Sequence, residues 1–466
     1  MPFDFDVVVV GAGSAGFSAV EGAIAAGAKK VALVEASARL GGECPNWGCV
    51  PSKAILRSAE VFSLMKRAAE FGIQAPRPKI DFRRVHIRMR ETIDALSKPP
   101  RLENYLASLK VKLLRGTARF ENARTLSVSG KIITAKKFII CTGSTTFVPD
   151  ITGLDKVPYW TAEDLLEMKK LPPSIVIIGG GPIGVETAQY LNAFGVACTI
   201  IESASHLVAR EDEEIAAILT ESFKRRGIRI FTGAKINAVD RRGQKIIVSL
   251  AGAAVSAGKK PAPRSLEAEA ILLATGKQPN LGFLHLEKAG VKFNERGWPI
   301  LNEYLQGSPS VYLAGDATGQ MFFTHVSHYQ GDITGRNAAV GNKIKNNLRV
   351  VPRGTYVSPE IGSVGMTEAQ AIAKKIKIAV GRAPYSAFGK SLVAGEEEMT
   401  GLVKIIVDKK TKQILGGHAV GAQASEIIHE IAMAMYANIP YTSVGQMIHA
   451  YPTYAEAVGA ACSEIV

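Results

Sequence analysis

Four consecutive valines, Val7 to Val10, run straight into Gly11-Ala12-Gly13-Ser14-Ala15-Gly16. The arrangement returns at Ile175 to Ile178 ahead of Gly179-Gly180-Gly181-Pro182-Ile183-Gly184. Each glycine cluster opens a stretch of helical composition, reaching Ala26 in the first copy and about Phe194 in the second. A further apolar run then ends in an acid: Val31 to Val34 before Glu35, and residues 197–201 before Glu202. The third glycine precedes its acid by 19 residues in the first copy and 18 in the second. Strand, glycine turn, helix, strand and acid make a βαβ unit for a dinucleotide. A lone glycine match is weak, because glycine-rich turns are common. Here both copies have the strand before, the helix after and the acid in place.

In such a turn the first glycine (Gly11, Gly179) allows the tight bend, and the second (Gly13, Gly181) lets backbone approach a pyrophosphate. The third (Gly16, Gly184) lets the helix pack close on the strand, and the helix N-terminus offers free N–H groups to phosphate. Glu35 and Glu202 are expected to accept hydrogen bonds from ribose hydroxyls. An acid at Glu202 repels a 2′-phosphate, which favours NAD(H) over NADP(H); the competing reading has Arg210 or His206 handling that phosphate. Two dinucleotide sites in one chain suggest an external donor and an internal relay, the logic of a flavoprotein reductase.

At 466 residues the chain exceeds one core, and three or four domains are expected. Lys136 to Ser144 (KKFIICTGS) reads as a buried strand ending in a small-residue turn, and Ala270 to Asn280 (AILLATGKQPN) parallels it in the second unit. Val311 to Asp316 is a strand ending in Gly-Asp, and residues 251–265 read as an exposed loop. From about Val351 the composition changes to that of a separate domain. It holds a hairpin, residues 401–407 and 414–420 about a turn at 408–413, and two helical stretches after it. No apolar run is long enough for a transmembrane helix, the acidic start is unlike a signal peptide, and the default location is cytoplasmic. Net charge is +14, concentrated between Arg77 and Lys137, where 16 Lys or Arg (among them Arg83, Arg84, Arg88 and Arg90) face five acids. A nucleic-acid or anionic-surface patch competes there with a plain solvated helical face; no aromatic stacking pattern accompanies the charge, and the solvated face is expected.

The most informative segment is Gly41-Gly42-Glu43-Cys44-Pro45-Asn46-Trp47-Gly48-Cys49-Val50-Pro51-Ser52-Lys53. Pro51 is a favoured first-turn residue, so a helix is expected from Ser52 to about Phe71. A thiol beside a helix N-terminus has its thiolate stabilised by the dipole and free N–H groups, and Gly41, Gly42 and Gly48 would let backbone lie against a flat cofactor. C-x4-C is not the usual zinc spacing, no second Cys/His pair follows, and no metal site is expected. The bland reading, two buried thiols beside a turn, loses ground beside a dinucleotide fold. Cys141 and Cys198 are read as strand residues and Cys462 as a tail residue, none with a chemical role.

GGECPNWGCVPSK, the two glycine fingerprints, the CTGS and ATGKQPN turns and YLAGDA together resemble the class I pyridine nucleotide-disulfide oxidoreductases, which include dihydrolipoyl dehydrogenase, glutathione reductase and mercuric reductase. The resemblance runs over essentially the whole chain. It implies an α/β fold with two Rossmann-like dinucleotide-binding domains, for FAD (1–148) and NAD (149–278), a central domain (279–348), and a C-terminal α+β dimerisation domain (349–466). It implies that Cys44 is the interchange thiol that meets substrate, and that Cys49 lies against the flavin and forms the charge-transfer complex. Lys53 resembles the family lysine near the flavin, paired with Glu186. Gly11, Gly13, Gly16, Glu35, Lys53, Gly116, Thr142, Gly143, Ser144 and Asp316 match FAD contacts, with Met321 to His325 near the flavin. Gly179, Gly181, Gly184, Glu202 and Gly276 match the NAD side. The family is an obligate homodimer whose C-terminal domain completes the partner's active site.

The departure lies in His449-Ala450-Tyr451-Pro452-Thr453-Tyr454-Ala455-Glu456. Dihydrolipoyl dehydrogenase and glutathione reductase carry His-Pro with a glutamate five residues after the histidine; here Tyr451 occupies the histidine's position and Glu456 remains. A phenol with pKa about 10 is poorly matched to shuttling a thiol proton at neutral pH, and His449 is a candidate substitute. Mercuric reductase also lacks that histidine, since a soft metal ion bound by thiolates needs no imidazole. Against that, Cys462 is one thiol where well-studied mercuric reductases have a vicinal pair, and their N-terminal metal-binding domain has no counterpart here. The leading expectation is NAD(P)H oxidation through FAD and Cys44/Cys49 to a small oxidant such as Hg(II). The alternative is a dihydrolipoyl dehydrogenase with altered acid–base chemistry. A third class, a nucleotide-sensing or nucleic-acid-associated flavoprotein, would dispense with the dithiol. No membrane partner is expected.

Overall fold

An unbroken run of valines suits a strand with no solvent-facing side, and a parallel sheet covered on both faces supplies that environment. A computed structural model describes residues 2–251, 255–256 and 263–465. In it β1, Phe5–Val10, sits in mid-sheet with Val7 to Val10 at most 3 % exposed. Burying each such side chain contributes roughly 1.5–3 kcal/mol. Alternation decides which face each valine serves: Val7 and Val9 pack with Ala15 and Ala19, Val8 and Val10 with Phe120 and Phe138.

The chain forms two compact units. The first comprises the residues up to Ala54, His86–Phe147 and Gly276–Asn347. Its main sheet runs Gln306–Ser308, Val311–Leu313, Lys131–Ile140, β1, β2 (Val31–Glu35), Lys112–Arg115, and the four pairings from Val311–Leu313 to Lys112–Arg115 are parallel. Helix α1, Ser14–Ala25, follows the glycine turn and packs on helix Thr324–Val340. Small residues set that spacing: a Cβ on Gly331 would lie 2.3 Å from the Ala15 carbonyl oxygen, and one on Gly335 2.2 Å from that of Ala19.

The second unit comprises Ile55–Val85, Val148–Thr275 and the chain from Leu348 on. Its nucleotide-type sheet runs Val255–Ser256, Arg229–Thr232, Ala197–Ile201, Ser174–Ile178, Ala270–Leu273, antiparallel only at the first pair. An antiparallel sheet of Lys235–Arg242, Lys245–Ala251 and Ser265–Ala268 adjoins it in sequence. The C-terminal sheet is antiparallel in the order Arg353–Thr355, Ile361–Gly365, Ile414–Val420, Leu402–Asp408, Ile378–Pro384. Helices Ala424–Tyr436 and Glu456–Ser463 cover it, and Val403, Ile405, Ile431 and Val458 fill the space between.

Three expectations need correction. The helix after the cysteines, α3, is Cys49–Lys66, with a separate 3-10 turn at Ala68–Phe71; Cys49 itself starts it, since Pro51 is accepted anywhere in a first turn. Three helices follow the C-terminal hairpin where two were expected, because Tyr441–Gly445 forms a short one after Pro440. Of the loop at 251–265, Val255–Ser256 pairs as a strand and Ser265 begins another, while 252–254 and 257–262 lie outside the described residues. The hairpin itself is Leu402–Asp408 against Ile414–Val420.

Candidate active site

The two glycine turns are local copies of one another. Gly11 and Gly179 have φ of +104° and +108°, a region L side chains avoid, and a Cβ would come within 2.3 Å of the Cys141 carbonyl oxygen or 2.2 Å of that of Ala274. Gly16 and Gly184 press on the carbonyls of Gly11 and Gly179, with a hypothetical Cβ 1.8 and 2.0 Å away. The middle glycines differ in kind: beyond Gly13 the nearest atom to such a Cβ is the Gly42 Cα at 3.7 Å, and beyond Gly181 nothing lies within 4 Å. That open space is where a pyrophosphate fits. The acids match too. Glu35 accepts from the Ala12 N–H at 2.8 Å and the Ser37 N–H at 2.7 Å; Glu202 accepts from the Gly180 N–H at 2.6 Å and the Ala204 N–H at 2.7 Å. A carboxylate has about four acceptor positions, so each keeps capacity for ribose hydroxyls.

Helix α1 and helix Pro182–Ala193 begin with no side-chain cap and no acid in the first turn. Ordinary helices satisfy those N–H groups with a side chain; here an anionic phosphate would complete them. The residues therefore fit a dinucleotide at each turn. At the first, Thr142 donates its hydroxyl to the Asn280 carbonyl at 2.8 Å, and Gly143, with open space beyond it, accepts from the Asn280 N–H at 3.0 Å. Ser144 donates to Asp316 at 2.6 Å, and burial raises the Asp316 carboxyl above its ordinary value. Gly116 follows strand Lys112–Arg115, and its N–H donates to the Glu35 carbonyl at 2.9 Å. Gly276, expected on the NAD side, belongs to the first unit.

The cysteine segment is pinned to the first turn. The Gly41 N–H donates to the Ala12 carbonyl at 2.8 Å, and Gly42 lies so close that a Cβ would meet the Gly13 Cα at 2.7 Å. Gly42 opens the single-turn helix α2, Glu43–Asn46, which carries Cys44. Buried Asn46 braces it by donating to the carbonyls of Leu40 (2.9 Å) and Gly42 (2.8 Å) while accepting from Ser97 at 2.8 Å. Glu43 pairs with Lys277. These braces were not expected, since nothing local in sequence marks Ser97 or Lys277 as neighbours of residues 43–46.

Neither Cys44 nor Cys49 is in a disulfide, and the two thiols are hydrogen-bonded to each other. Cys49 is lowered to about 6, first by the hydrogen bond from Cys44, then by one from Thr324 and by the Lys53 charge, against the opposing cost of desolvation. Cys44 is pushed up by the same hydrogen bond, by burial and by the Cys49 charge. The two shifts together favour the negative charge on Cys49 and the proton on Cys44. Thr324 stands 3.4 Å from the Cys49 sulfur at the start of helix Thr324–Val340. It falls within the stretch from Met321 to His325, where Met321 is half-buried and His325, exposed, stacks on Phe323.

Lys53 lies in the first unit and Glu186 in the second, where Glu186 is buried and accepts from the Tyr356 N–H at 3.0 Å. In the second unit, too, Tyr451 is 78 % exposed, and its hydroxyl lies 2.7 Å from where a Gly389 Cβ would be. Glu456 accepts from the Thr453 N–H at 2.7 Å. His449 faces inward: Nε2 is 2.9 Å from Glu430 and Nδ1 3.1 Å from the Met447 carbonyl. Both nitrogens are engaged by acceptors within its own unit. Among the described residues no group of three or more His, Cys, Asp or Glu could hold a metal ion, and no helix is long and apolar enough to cross a membrane. Arg83, Arg84 and Arg88 are exposed on helix Phe82–Ser97.

Electron transfer between a nicotinamide nucleotide and a thiol pair, relayed by a second bound dinucleotide, is the chemistry that uses all three of these sites. The family described as pyridine nucleotide-disulphide oxidoreductase matches residues 5–331, and its dimerisation domain matches residues 351–462. Mercuric reductase of Bacillus cereus is 35 % identical over 97 % of this chain and 70 % of its own length. Dihydrolipoyl dehydrogenase of Bacillus subtilis (strain 168) is 33 % identical over 99 % of this chain and 98 % of its own. Among solved structures, the HOCl-induced flavoprotein disulfide reductase RclA from Escherichia coli aligns with a TM-score of 0.83 at 30 % identity, covering 98 % of this chain and 99 % of that one. A Cu(II) complex of RclA aligns with a TM-score of 0.82 at 30 % identity, over 97 % of this chain and 98 % of that one. The chain belongs to the pyridine nucleotide-disulphide oxidoreductases. It is an enzyme that uses FAD and a nicotinamide nucleotide with a redox-active disulfide, and its dimerisation domain supports a homodimer.

Proposed function

We propose that the enzyme oxidises NADH and delivers the electron pair through Cys44 and Cys49 to a small oxidant, foremost a soft metal ion such as Hg(II). Bound at the first glycine turn, FAD would supply the redox group that takes hydride from the nicotinamide and passes two electrons to the disulfide. In this reading Gly11, Gly13, Gly16, Glu35, Gly116, Thr142, Gly143, Ser144 and Asp316 hold FAD, with Met321 and His325 beside it. Gly179, Gly181, Gly184, Glu202 and Gly276 serve the nicotinamide nucleotide, and Glu202 sets the preference for NADH. Lys53 steadies the negative charge that gathers near Cys49. NADH, a proton and the disulfide give NAD+ and the dithiol. The dithiol then gives its two electrons to Hg(II), forming Hg(0), the disulfide and two protons. The partition at 1–148, 149–278, 279–348 and 349–466 describes the chain by these tasks.

The observation that carries the oxidant class is the state of the 449–456 segment. Tyr451 is presented outward on its unit while His449 is tied down by Glu430 and Met447, so the 449–456 segment presents a phenol where an imidazole would move a proton between sulfurs. A thiophilic metal ion makes no such demand. The mercuric reductase likeness and the Cu(II) complex of RclA point the same way. The second reading, a dihydrolipoyl dehydrogenase, is favoured by full-length likeness to that enzyme. Steady-state rates with NADH plus Hg(II), against dihydrolipoamide plus NAD+, separate them. The proposal expects the first to exceed the second by about a hundredfold or more, the usual worth of general-base help; brisk dihydrolipoamide turnover overturns it.

A further inference from the structure

Between strand Ala197–Ile201 and helix Glu213–Arg225 the chain folds back over its own glycine turn. The Val208 N–H donates to the Gly180 carbonyl at 2.8 Å, and Leu207, fully buried, lies where a Gly180 Cβ would be, 2.6 Å away. Making that reversal puts Val208 at φ 45°, although it is β-branched and only 3 % exposed. For such a residue the left-handed region is an outlier that surrounding structure must enforce.

The enforcing groups come from the C-terminal sheet. Glu211, 8 % exposed, accepts from Arg353 Nε at 2.8 Å and Nη2 at 3.2 Å, and from the Ser363 hydroxyl. Arg353 Nη2 also donates to the Arg210 carbonyl at 3.2 Å, and the Glu211 N–H to the Val208 carbonyl at 2.7 Å. At the next position Asp212 accepts from buried Lys404 at 2.8 Å. The loop is thus fastened at both ends, by Glu202 on the glycine turn and by Glu211 on the sheet, with the strained residue between. A bidentate, nearly buried guanidinium–carboxylate pair is a geometric constraint more than a source of net stability.

We propose that Glu211 is a positioning residue for the nicotinamide nucleotide: anchored by Arg353 and Ser363, it holds the 203–211 loop in the strained reversal that keeps Glu202 aimed at the ribose. The C-terminal sheet thereby sets nucleotide affinity in addition to any part in dimerisation. This rests on the reading of the second glycine turn as the NADH site.

The test is stopped-flow reduction of the FAD-loaded dimer by NADH and by NADPH, for wild type, Glu211→Gln, Arg353→Lys, Glu202→Ala and the double variant Glu211→Gln/Val208→Gly. Removing the anchor is expected to raise the NADH concentration for half-maximal rate about tenfold, to leave the limiting rate within about twofold, and to narrow the NADH/NADPH ratio; tenfold is a typical effect of one outer constraint on a site. Arg353→Lys should fall between. Val208→Gly should restore most of the loss, because glycine adopts the reversal unaided. If Glu202→Ala changes affinity while Glu211→Gln does not, the positioning role is wrong and the site stands. If Glu202→Ala also has no effect, the site assignment itself is wrong. A fall in limiting rate with unchanged affinity, or no rescue by Val208→Gly, likewise overturns the positioning role.

Discussion

Two opposing effects meet at Cys49. Desolvation favours the neutral thiol, while a hydrogen bond from Cys44, another from Thr324 and the Lys53 charge favour the thiolate, and the second set prevails, leaving the group at about 6. The sign of the pH dependence follows: above that value the sulfur is anionic, and the anion is lost as pH falls through it. In the two-electron-reduced enzyme, long-wavelength thiolate–flavin absorbance should be full at pH 8 and about half lost near pH 6 in an anaerobic titration. A midpoint near the ordinary thiol value of 9.0 would refute this balance. Tyr451 is governed by the proton economy of the substrate. Tyr451→His should raise dihydrolipoamide–NAD+ turnover by at least about a hundredfold, read in a steady-state assay. The cysteines, glycines and acids were legible in sequence because each needs a residue type at a set spacing. Asn46, Ser97, Thr324 and the Glu43–Lys277 pair act through contacts distant in sequence, and only the fold brings those together.

Single elements follow their sequence patterns where burial decides the pattern. The valine and isoleucine runs became central parallel strands, and the alternating run after residue 400 became a hairpin. Ends were less legible: α3 starts at Cys49 and stops at Lys66 because pattern says little about the first turn. Close packing of α1 on helix Thr324–Val340 was not foreseen, since Gly331 and Gly335 carry no local turn signal. Gly335→Ala would drive a methyl to 2.2 Å from the Ala19 carbonyl oxygen. It should cost about 1–3 kcal/mol by overpacking and lower Tm by several degrees in calorimetry. Gly282→Ala, with nothing within 4 Å, serves as the near-neutral comparison. Equal Tm values for the two would show that the helices are not held at that spacing.

At the scale of the whole molecule, the C-terminal domain leaves apolar side chains in water: Ile448 is 96 % exposed, Tyr436 71 % and Met433 64 %. Exposed apolar side chains of this kind mark interfaces, and all three lie within the matched dimerisation domain, residues 351–462. The double substitution Met433→Asp/Ile448→Asp should give a monomer by light scattering and lower oxidant reduction at least about tenfold, since the family resemblance implies that one subunit completes the other's site. An active monomer would show that the partner contributes nothing to the site. The electron route depends on the sulfur of Cys49 touching the flavin, and the oxidised holoenzyme of Cys44→Ser measures this directly. With its partner thiol gone, Cys49 cannot be locked in a disulfide. Its thiolate should give a long-wavelength band at alkaline pH before any reductant is added, while Cys49→Ser shows none. Absence of the band in Cys44→Ser, or the same band in both variants, would contradict the proposed electron route.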